Sequence, residues 1–446
     1  MSTAEFHEWF AACRRRNHYR VTTVPFDRLD GWSFEEESQN LTHRSGRFFS
    51  IQGLAVDTDH REIGSWTQPI IVQPEIGILG ILVKEINGVL HCLMQAKMEP
   101  GNVNTLQLSP TVQATHSNYT RVHGGNPIPY LEHFLSPRRG RVLVDALQSE
   151  QGSWFLRKRN RNIIVETTDD VPLHQDFCWL TIGQLHDLMR IDNLVNMDAR
   201  TVLSGIPFAA PTDPRAAPRA GSFRSGLVHS LTGEHDGLHD RASVLSWFTE
   251  LKARHRHSQR LIPLRRLDGW ICSPERIRHR HNKFFAVVGV DVRASNREVT
   301  HWTQPLLAPC SRGLLAFVTK NIGGVLHVLI QARTGAGTYD VVEMAPTVHC
   351  APDNLTETSA RPCFLDYVLE ARPAQIRYDV VHSEEGGRFY QAQNRYLVVE
   401  ACDDFPIAAP DDFIWMTVRQ IVDLNQHGNY FNVEARSLLA ALHTLW

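Results

Sequence analysis

The stretch GVLHCLMQAKMEPGN runs from Gly88 to Asn102, and GVLHVLIQARTGAGT runs from Gly324 to Thr338. Two near-copies of one segment, 236 residues apart, mark an internal repeat, and a repeat fixes the architecture before any local pattern does. The same separation joins Trp66-Thr67-Gln68-Pro69 to Trp302-Thr303-Gln304-Pro305, and Pro110-Thr111-Val112 to Pro346-Thr347-Val348. With a small drift, Leu29-Asp30-Gly31-Trp32 matches Leu267-Asp268-Gly269-Trp270, and Asn160-Arg161 matches Asn394-Arg395. The expected organisation is a first copy over 1–206, a linker over 207–240 and a second copy over 241–446. The linker is rich in Pro, Gly, Ala and Ser and lacks a sustained apolar period.

Each copy opens on an amphipathic helix, carried by Phe6, Trp9, Phe10 and Cys13 in one and by Val244, Trp247, Phe248 and Leu251 in the other, with Ser243 as N-cap. Asn87-Gly88 and Gly323-Gly324 lie between paired apolar runs, which predicts a tight hairpin in each copy. A second hairpin follows, and two helical segments close each copy, the first of them capped by Thr181 or Thr417. The fold class is α+β: a mixed, largely antiparallel sheet flanked by helices, present twice.

A chain of 446 residues exceeds what one hydrophobic core serves. Hydrophobic residues at 42% and charged residues at 21% describe a globular protein, and a net charge of −2 recruits neither nucleic acid nor anionic membrane. The apolar runs fall far short of the ~20 residues of a membrane helix, and the N-terminus does not read as a signal peptide. The eight cysteines are scattered without a C-x-x-C pair and read as buried thiols of a reducing cytoplasm. No phosphate loop, dinucleotide fingerprint, serine elbow or H-E-x-x-H motif occurs, which disfavours ATP, nicotinamide, serine-hydrolase and zinc chemistry, so no cofactor and no metal is expected.

Candidate chemistry follows the first hairpin. Lys97 and Glu99 alternate along a strand end and share one face, and Ser117-Asn118-Tyr119-Thr120-Arg121 places a phenol near a guanidinium. Such groups suit an anionic, hydroxyl-rich ligand. Taken singly, Lys97 and Glu99 also fit a surface ion pair, and Tyr119 a packing residue. The repeat weighs against that, because Arg333, Gly335 and Ala336 stand at the positions of Lys97, Glu99 and Pro100, and Asp353 to Glu357 stand at those of Ser117 to Arg121. Scaffold positions agree while reactive ones differ, as expected if one copy does chemistry. The shared Trp-Thr-Gln-Pro motif serves fold or general stacking, and the shared Asn-Arg pair either binds a phosphate or caps a turn in both copies.

The paired WTQP, the QAKMEPGN stretch, the run from Ser109 to Phe134 containing SNYTRVH, and the Asn-Arg segments together resemble the NDP-hexose 2,3-dehydratases of deoxysugar biosynthesis, including that of antibiotics. The resemblance spans about Phe6 to Leu442 outside the linker. It implies two Nudix-like domains from a gene duplication, a cytoplasmic homodimer, and a nucleotide-sugar pocket in each half, with the amino-terminal one catalytic. The Nudix carboxylate box is not present, which disfavours metal-dependent hydrolysis. The implied reaction removes water across carbons 2 and 3 of a dTDP-4-keto-6-deoxyglucose, needs no cofactor, and hands its product to a 3-ketoreductase. On this footing Glu99 or Tyr119 transfers protons, Lys97 and Arg121 stabilise enolate or diphosphate, and Trp66, Ser117, Asn118, His123, Tyr130, Glu132, Asn160 and Arg161 bind substrate, His123 and Glu132 also serving as reserve acids or bases. Trp302, Arg333, Asn394 and Arg395 line the second pocket. The rival readings are a Nudix-type hydrolase with divergent metal ligands and a non-catalytic nucleotide-sugar binder.

Overall fold

The repeated hairpins build the centres of two seven-stranded sheets. The structure, a computed structural model, describes residues 1–61, 63–115, 127–135, 140–206, 219, 221–233, 237–356 and 360–446. In the first half the strand order is Arg141–Ser149, Arg159–Glu166, Gly77–Ile86, Val89–Met98 and Phe177–Thr181, with Leu106–Ser109 and Val112–Ala114 paired alongside. In the second half Ile376–Ser383, Gln393–Glu400, Gly313–Ile322, Val325–Arg333 and Phe413–Thr417 repeat that order, with Glu343–Ala345 and Val348–Cys350 alongside. Only the pairs joining Arg159–Glu166 to Gly77–Ile86 and Gln393–Glu400 to Gly313–Ile322 are parallel among these. Gly77–Val83 is buried without alternation because both faces are covered, which explains its unbroken apolar run. Asn87, Gly88, Gly323 and Gly324 all take positive φ, as the two-residue hairpins require.

The smaller sheets contain the feature that sequence did not announce. Tyr19–Val24 of the first half pairs antiparallel with Phe285–Ala294 of the second, and His257–Ile262 of the second pairs with Ser50–Thr58 of the first. Each half thus lends one strand to a sheet of the other. The repeated motifs grip across the same seam. Trp32 Nε1 donates to the Thr303 carbonyl at 3.1 Å, and Trp270 Nε1 donates to the Thr67 carbonyl at 3.0 Å, so the Leu-Asp-Gly-Trp of each half holds the Trp-Thr-Gln-Pro of the other.

Two glycines admit the opposite backbone. The Gly101 amide donates to the Gly386 carbonyl at 2.7 Å, and a Cβ at Gly101 would lie 1.7 Å from the Phe389 carbonyl oxygen. Gly337 repeats this, donating to the Gly152 carbonyl, with a Cβ there 1.9 Å from the Phe155 carbonyl oxygen. Deeper in the seam the helices Met197–Leu203 and Val433–His443 pack together, each carrying a fully buried arginine. Arg200 donates to the Ser383 carbonyl and Arg436 to that of Ser149, so each guanidinium reaches the other half's backbone, while a second nitrogen of each donates to a carbonyl of its own half, Val195 or Phe431.

Three expectations need correction. Within 207–240 the segment Phe223–Thr232 is a helix capped by Ser222, because Phe223, Leu227 and Leu231 recur at fours and cover the second sheet. Asp240, not Ser243, caps the helix Arg241–Arg254, its carboxylate accepting the Ser243 amide. All eight cysteines are free, and Cys13, Cys92 and Cys178 are buried as expected, whereas Cys272, Cys310 and Cys363 are exposed. Among the described residues no helix is long and apolar enough to cross a membrane.

Two outcomes follow for stability. Gly101→Ala and Gly337→Ala should each cost at least ~1–3 kcal/mol, since the opposing atom is backbone and cannot step aside; denaturant midpoints measure this, and an unchanged midpoint would contradict the seam. Glu434 is 5% exposed, and burial, reinforced by Glu384 and Glu343, raises its carboxyl to about 8. A raised folded-state value stabilises while the group is protonated and is lost as pH climbs toward 8, so Glu434→Gln should gain in melting temperature over the wild type at pH ~8.5 and gain little at pH ~5.5.

Candidate active site

Lys97 and Glu99 end the strand and turn that Gly101 holds against the second half, and they are 5% and 2% exposed. They are not a surface ion pair. Lys97 Nζ donates to the Gln113 carbonyl at 2.8 Å. Glu99 accepts three side-chain amides: Gln113 on Oε1 at 2.6 Å, and Asn102 and Asn196 on Oε2 at 3.2 and 3.3 Å. Amide donors on both oxygens suit a carboxylate that is kept from water yet fully solvated by protein. Asn196 also caps the helix Met197–Leu203, which places Asp198 nearby; burial first, then Glu385, Glu150 and Glu99, hold its carboxyl well above the usual range.

The second half closes the group. The turn between Phe285–Ala294 and His301–Pro309 brings Arg297 in, whose Nη1 donates to the Met98 carbonyl at 2.5 Å while its Nε pairs with Glu298 at 3.2 Å. Burial, with Arg297 adding to it, lowers the Lys97 ammonium to about 8, and Arg297 holds Glu298 down at about 2. Residues 384–389 form the opposite wall. A Cβ at Gly386 would lie 2.8 Å from Glu99 Cβ, and one at Gly387 would lie 3.2 Å from Glu385 Oε1 and 3.7 Å from Glu99 Oε1. Arg388 anchors this wall by donating to Gln73 Oε1 at 3.0 Å and stacking over Phe49.

Sequence reading missed Arg297, Glu298, Glu385 and Arg388, because nothing local ties them to Lys97. One signal did exist. Residues 384–388 read Glu-Glu-Gly-Gly-Arg where 150–154 read Glu-Gln-Gly-Ser-Trp, a charge difference at a repeated turn.

The remaining expected residues distribute unevenly. Tyr119, Arg121, Ser117, Asn118 and His123 lie outside the described residues. The exchange of strands carries Trp66 away, so that it packs beside Ala336 of the second half, while Trp302 packs with Ala96 and Met98 of the first. The two tryptophans therefore change places relative to the expected pockets. Trp66 and Trp302 each donate to the Gln two residues on at 2.9 Å, and those glutamines hold the Ser153 and Gly387 carbonyls at 2.8 Å. Tyr130 is a core residue whose hydroxyl donates to the Pro172 carbonyl at 2.6 Å, and Glu132 is exposed at the start of a short helix.

Asn160 and Asn394 perform one task in both halves, bonding Glu150 and Glu384 at 2.7 Å. Arg161 and Arg395 make bidentate pairs with Asp145 and Asp379.

The equivalent group of the second half has different chemistry. Arg333, lowered to about 10 by burial and by Arg61 of the first half, replaces Lys97; His349, held neutral by burial and these two arginines, replaces Gln113. Gly335 and Gln151 stand where the first group has Glu99 and Glu385, and the carboxyl beside Arg333 and His349 is that of Glu434. Two clefts of about 420 and 550 Å³ open elsewhere, by Lys84–Asn87 and by Trp247 and Ile407–Asp411, and neither is lined by Lys97 or Glu99.

What the first group offers is a cation, carboxyls and several amides brought together at the seam of the two halves, a set able to move protons on a polar substrate. Comparison with known proteins now identifies the lineage. A dTDP-4-dehydro-6-deoxy-alpha-D-glucopyranose 2,3-dehydratase of Streptomyces violaceoruber is 54% identical over 99% of this chain and 97% of its own length. Proteins of the same description from Saccharopolyspora spinosa and Amycolatopsis orientalis are 52% and 49% identical, covering 92% and 90% of their lengths and 100% and 99% of this chain. A solved ADP compounds hydrolase aligns with 36% of this chain and 84% of its own at 13% identity and a TM-score of 0.23, too little to argue a fold from. The family model for NDP-hexose 2,3-dehydratase matches residues 3–206 and 241–442, and the chain belongs to that family.

Proposed function

We propose that the chain eliminates water across carbons 2 and 3 of dTDP-4-keto-6-deoxy-D-glucose, giving a 3,4-diketo-2,6-dideoxy sugar nucleotide, and that the first half carries the reaction. The supporting observation is the buried, unpaired-to-each-other Lys97 and Glu99, embedded in a chain alike over its full length to dehydratases of that substrate.

The chemistry asks for few groups. The ketone at carbon 4 acidifies the proton on carbon 3, so a positioned base removes it if the enolate is stabilised. Glu99, held by its three amides, takes that role on this reading, with Tyr119 as the other proton-transfer group. Lys97 is charged at neutral pH yet sits near its own midpoint of about 8, which suits an ammonium that stabilises an enolate oxygen. Arg121 takes the diphosphate, and Ser117, Asn118 and His123 the sugar. The enolate then expels the carbon-2 hydroxyl as water, and the enol tautomerises with no net redox change.

We further propose that the halves are duplicated Nudix-like domains, which the common strand order of the two large sheets supports, and that the protein is a cytoplasmic homodimer feeding a 3-ketoreductase. The hydrolase alternative has no carboxylate box to hold its metal.

Incubation with dTDP-4-keto-6-deoxyglucose, with a 3-ketoreductase present to trap product, should show loss of one water by mass spectrometry, undiminished by a chelator. Release of a nucleoside monophosphate that depends on magnesium would favour hydrolysis instead. Glu99→Gln or Tyr119→Phe should lower kcat by about 10²–10⁴-fold. Should both variants fold and turn over normally, the chemistry lies elsewhere.

A further inference from the structure

The wall that the second half places over Glu99 carries a carboxyl of its own. Glu385 opens a tight turn, its carbonyl accepting the Arg388 and Phe389 amides at 3.2 and 3.0 Å, and that turn is pinned to the first half through Gly386 and Gly101. A methyl at Gly387 would touch both Glu385 Oε1 and Glu99 Oε1, at 3.2 and 3.7 Å, so the two carboxyls flank one space that the absent side chain leaves open. The groups around Glu385 come from four elements: Arg388 on its own turn, Glu150 and Lys158 on the neighbouring loop of the first half, Glu99 on the strand end, and Asp198 on the helix. Burial outweighs the two cations and raises the Glu385 carboxyl to about 8, so it carries a proton at neutral pH.

The repeat sharpens the point. The second half's equivalent space has Gly335 for Glu99 and Gln151 for Glu385, and Gln151 donates to Glu384 at 2.9 Å. Both carboxyls are present in one space and both are missing from the other, although they come from opposite halves of the chain.

We propose that Glu385, contributed by the second half, is the general acid of the first half's site, protonating the carbon-2 hydroxyl as it leaves; this rests on the dehydratase reading above. The base removes the carbon-3 proton and leaves the electron pair as a carbon-4 enolate. That pair returns to restore the ketone, the carbon-3 to carbon-4 double bond shifts to carbons 2 and 3, and the carbon-2 to oxygen bond breaks. The Glu385 proton goes to the departing oxygen, releasing water and leaving Glu385 as a carboxylate. Two carboxyls in unlike surroundings, one accepting amides and one kept protonated, divide base and acid roles as such pairs do elsewhere.

The test separates the two halves of the reaction. Full-length Glu385→Gln, incubated with dTDP-4-keto-6-deoxyglucose in deuterium oxide, should lose dehydration by about 100-fold or more while recovered substrate still gains deuterium at carbon 3. Gly387→Ala, which places a methyl between the carboxyls at a backbone φ open to any residue, should fold and also lose dehydration, so the assignment stays testable if Glu385→Gln does not fold. Dehydration within a few-fold of wild type in either folded variant overturns the role. So does loss of deuterium exchange together with dehydration in folded Glu385→Gln, because the side chain would then act before the carbon-oxygen bond breaks. A wild type that exchanges no proton and loses no water sinks the dehydratase reading itself.

Discussion

The exchange of one strand between halves is the constraint on which the rest of the molecule depends. Tyr19–Val24 completes the sheet of Phe285–Ala294, and His257–Ile262 completes that of Ser50–Thr58, through backbone hydrogen bonds that neither half can satisfy alone. An unpaired edge in either sheet would expose donors and acceptors along its length. The crossing also sets distances elsewhere. It fixes the turns around Arg61 and Arg297 over the opposite half's hairpin end, which is why a cation of one half adds to the burial that lowers Lys97 or Arg333 of the other.

That arrangement concentrates charge where water is scarce. Glu99, Asp198, Glu150 and Lys97 are each buried, and Arg200 and Arg436 are fully so. Buried ions cost more than they return unless each is hydrogen bonded or neutralised. The structure uses both solutions. Glu99 collects amides and the two arginines collect carbonyls, whereas Asp198, Glu385 and Glu434 are pushed toward the protonated form. Proximity of carboxyls that would repel if all were charged is a poor way to stabilise a fold and a good way to set proton affinities.

Much of the scaffold was legible because its causes are local. Asn87-Gly88 dictates a hairpin whatever surrounds it, and Thr181 with Gln184 caps a helix by a reciprocal bond four residues long in sequence. Lys97 and Glu99 were legible as different from Arg333 and Gly335. What was not legible depends on pairing at long range. Leu-Asp-Gly-Trp and Trp-Thr-Gln-Pro read as two separate repeated motifs, and only the structure shows that each grips the other's copy. The same crossing explains why Trp66 and Trp302 sit by the opposite hairpins, and why a glycine that looked like part of a reactive Glu-Pro-Gly is an entry for a carbonyl from Phe389.

Gly101 and Gly337 then acquire a meaning that neither residue has alone. Both are equally crowded by the opposite backbone, so the close approach itself is a property of the scaffold and is independent of any reaction. What differs is what each approach delivers. At Gly337 the incoming turn brings Gly152 against Gly335, and its neutral Gln151 donates to Glu384. At Gly101 it brings Glu385 toward Glu99. A second half without the Lys97–Glu99 pair is therefore still required by the first: its turn at 384–389 supplies the wall against which Glu99 sits, and removing it would open that carboxylate to water.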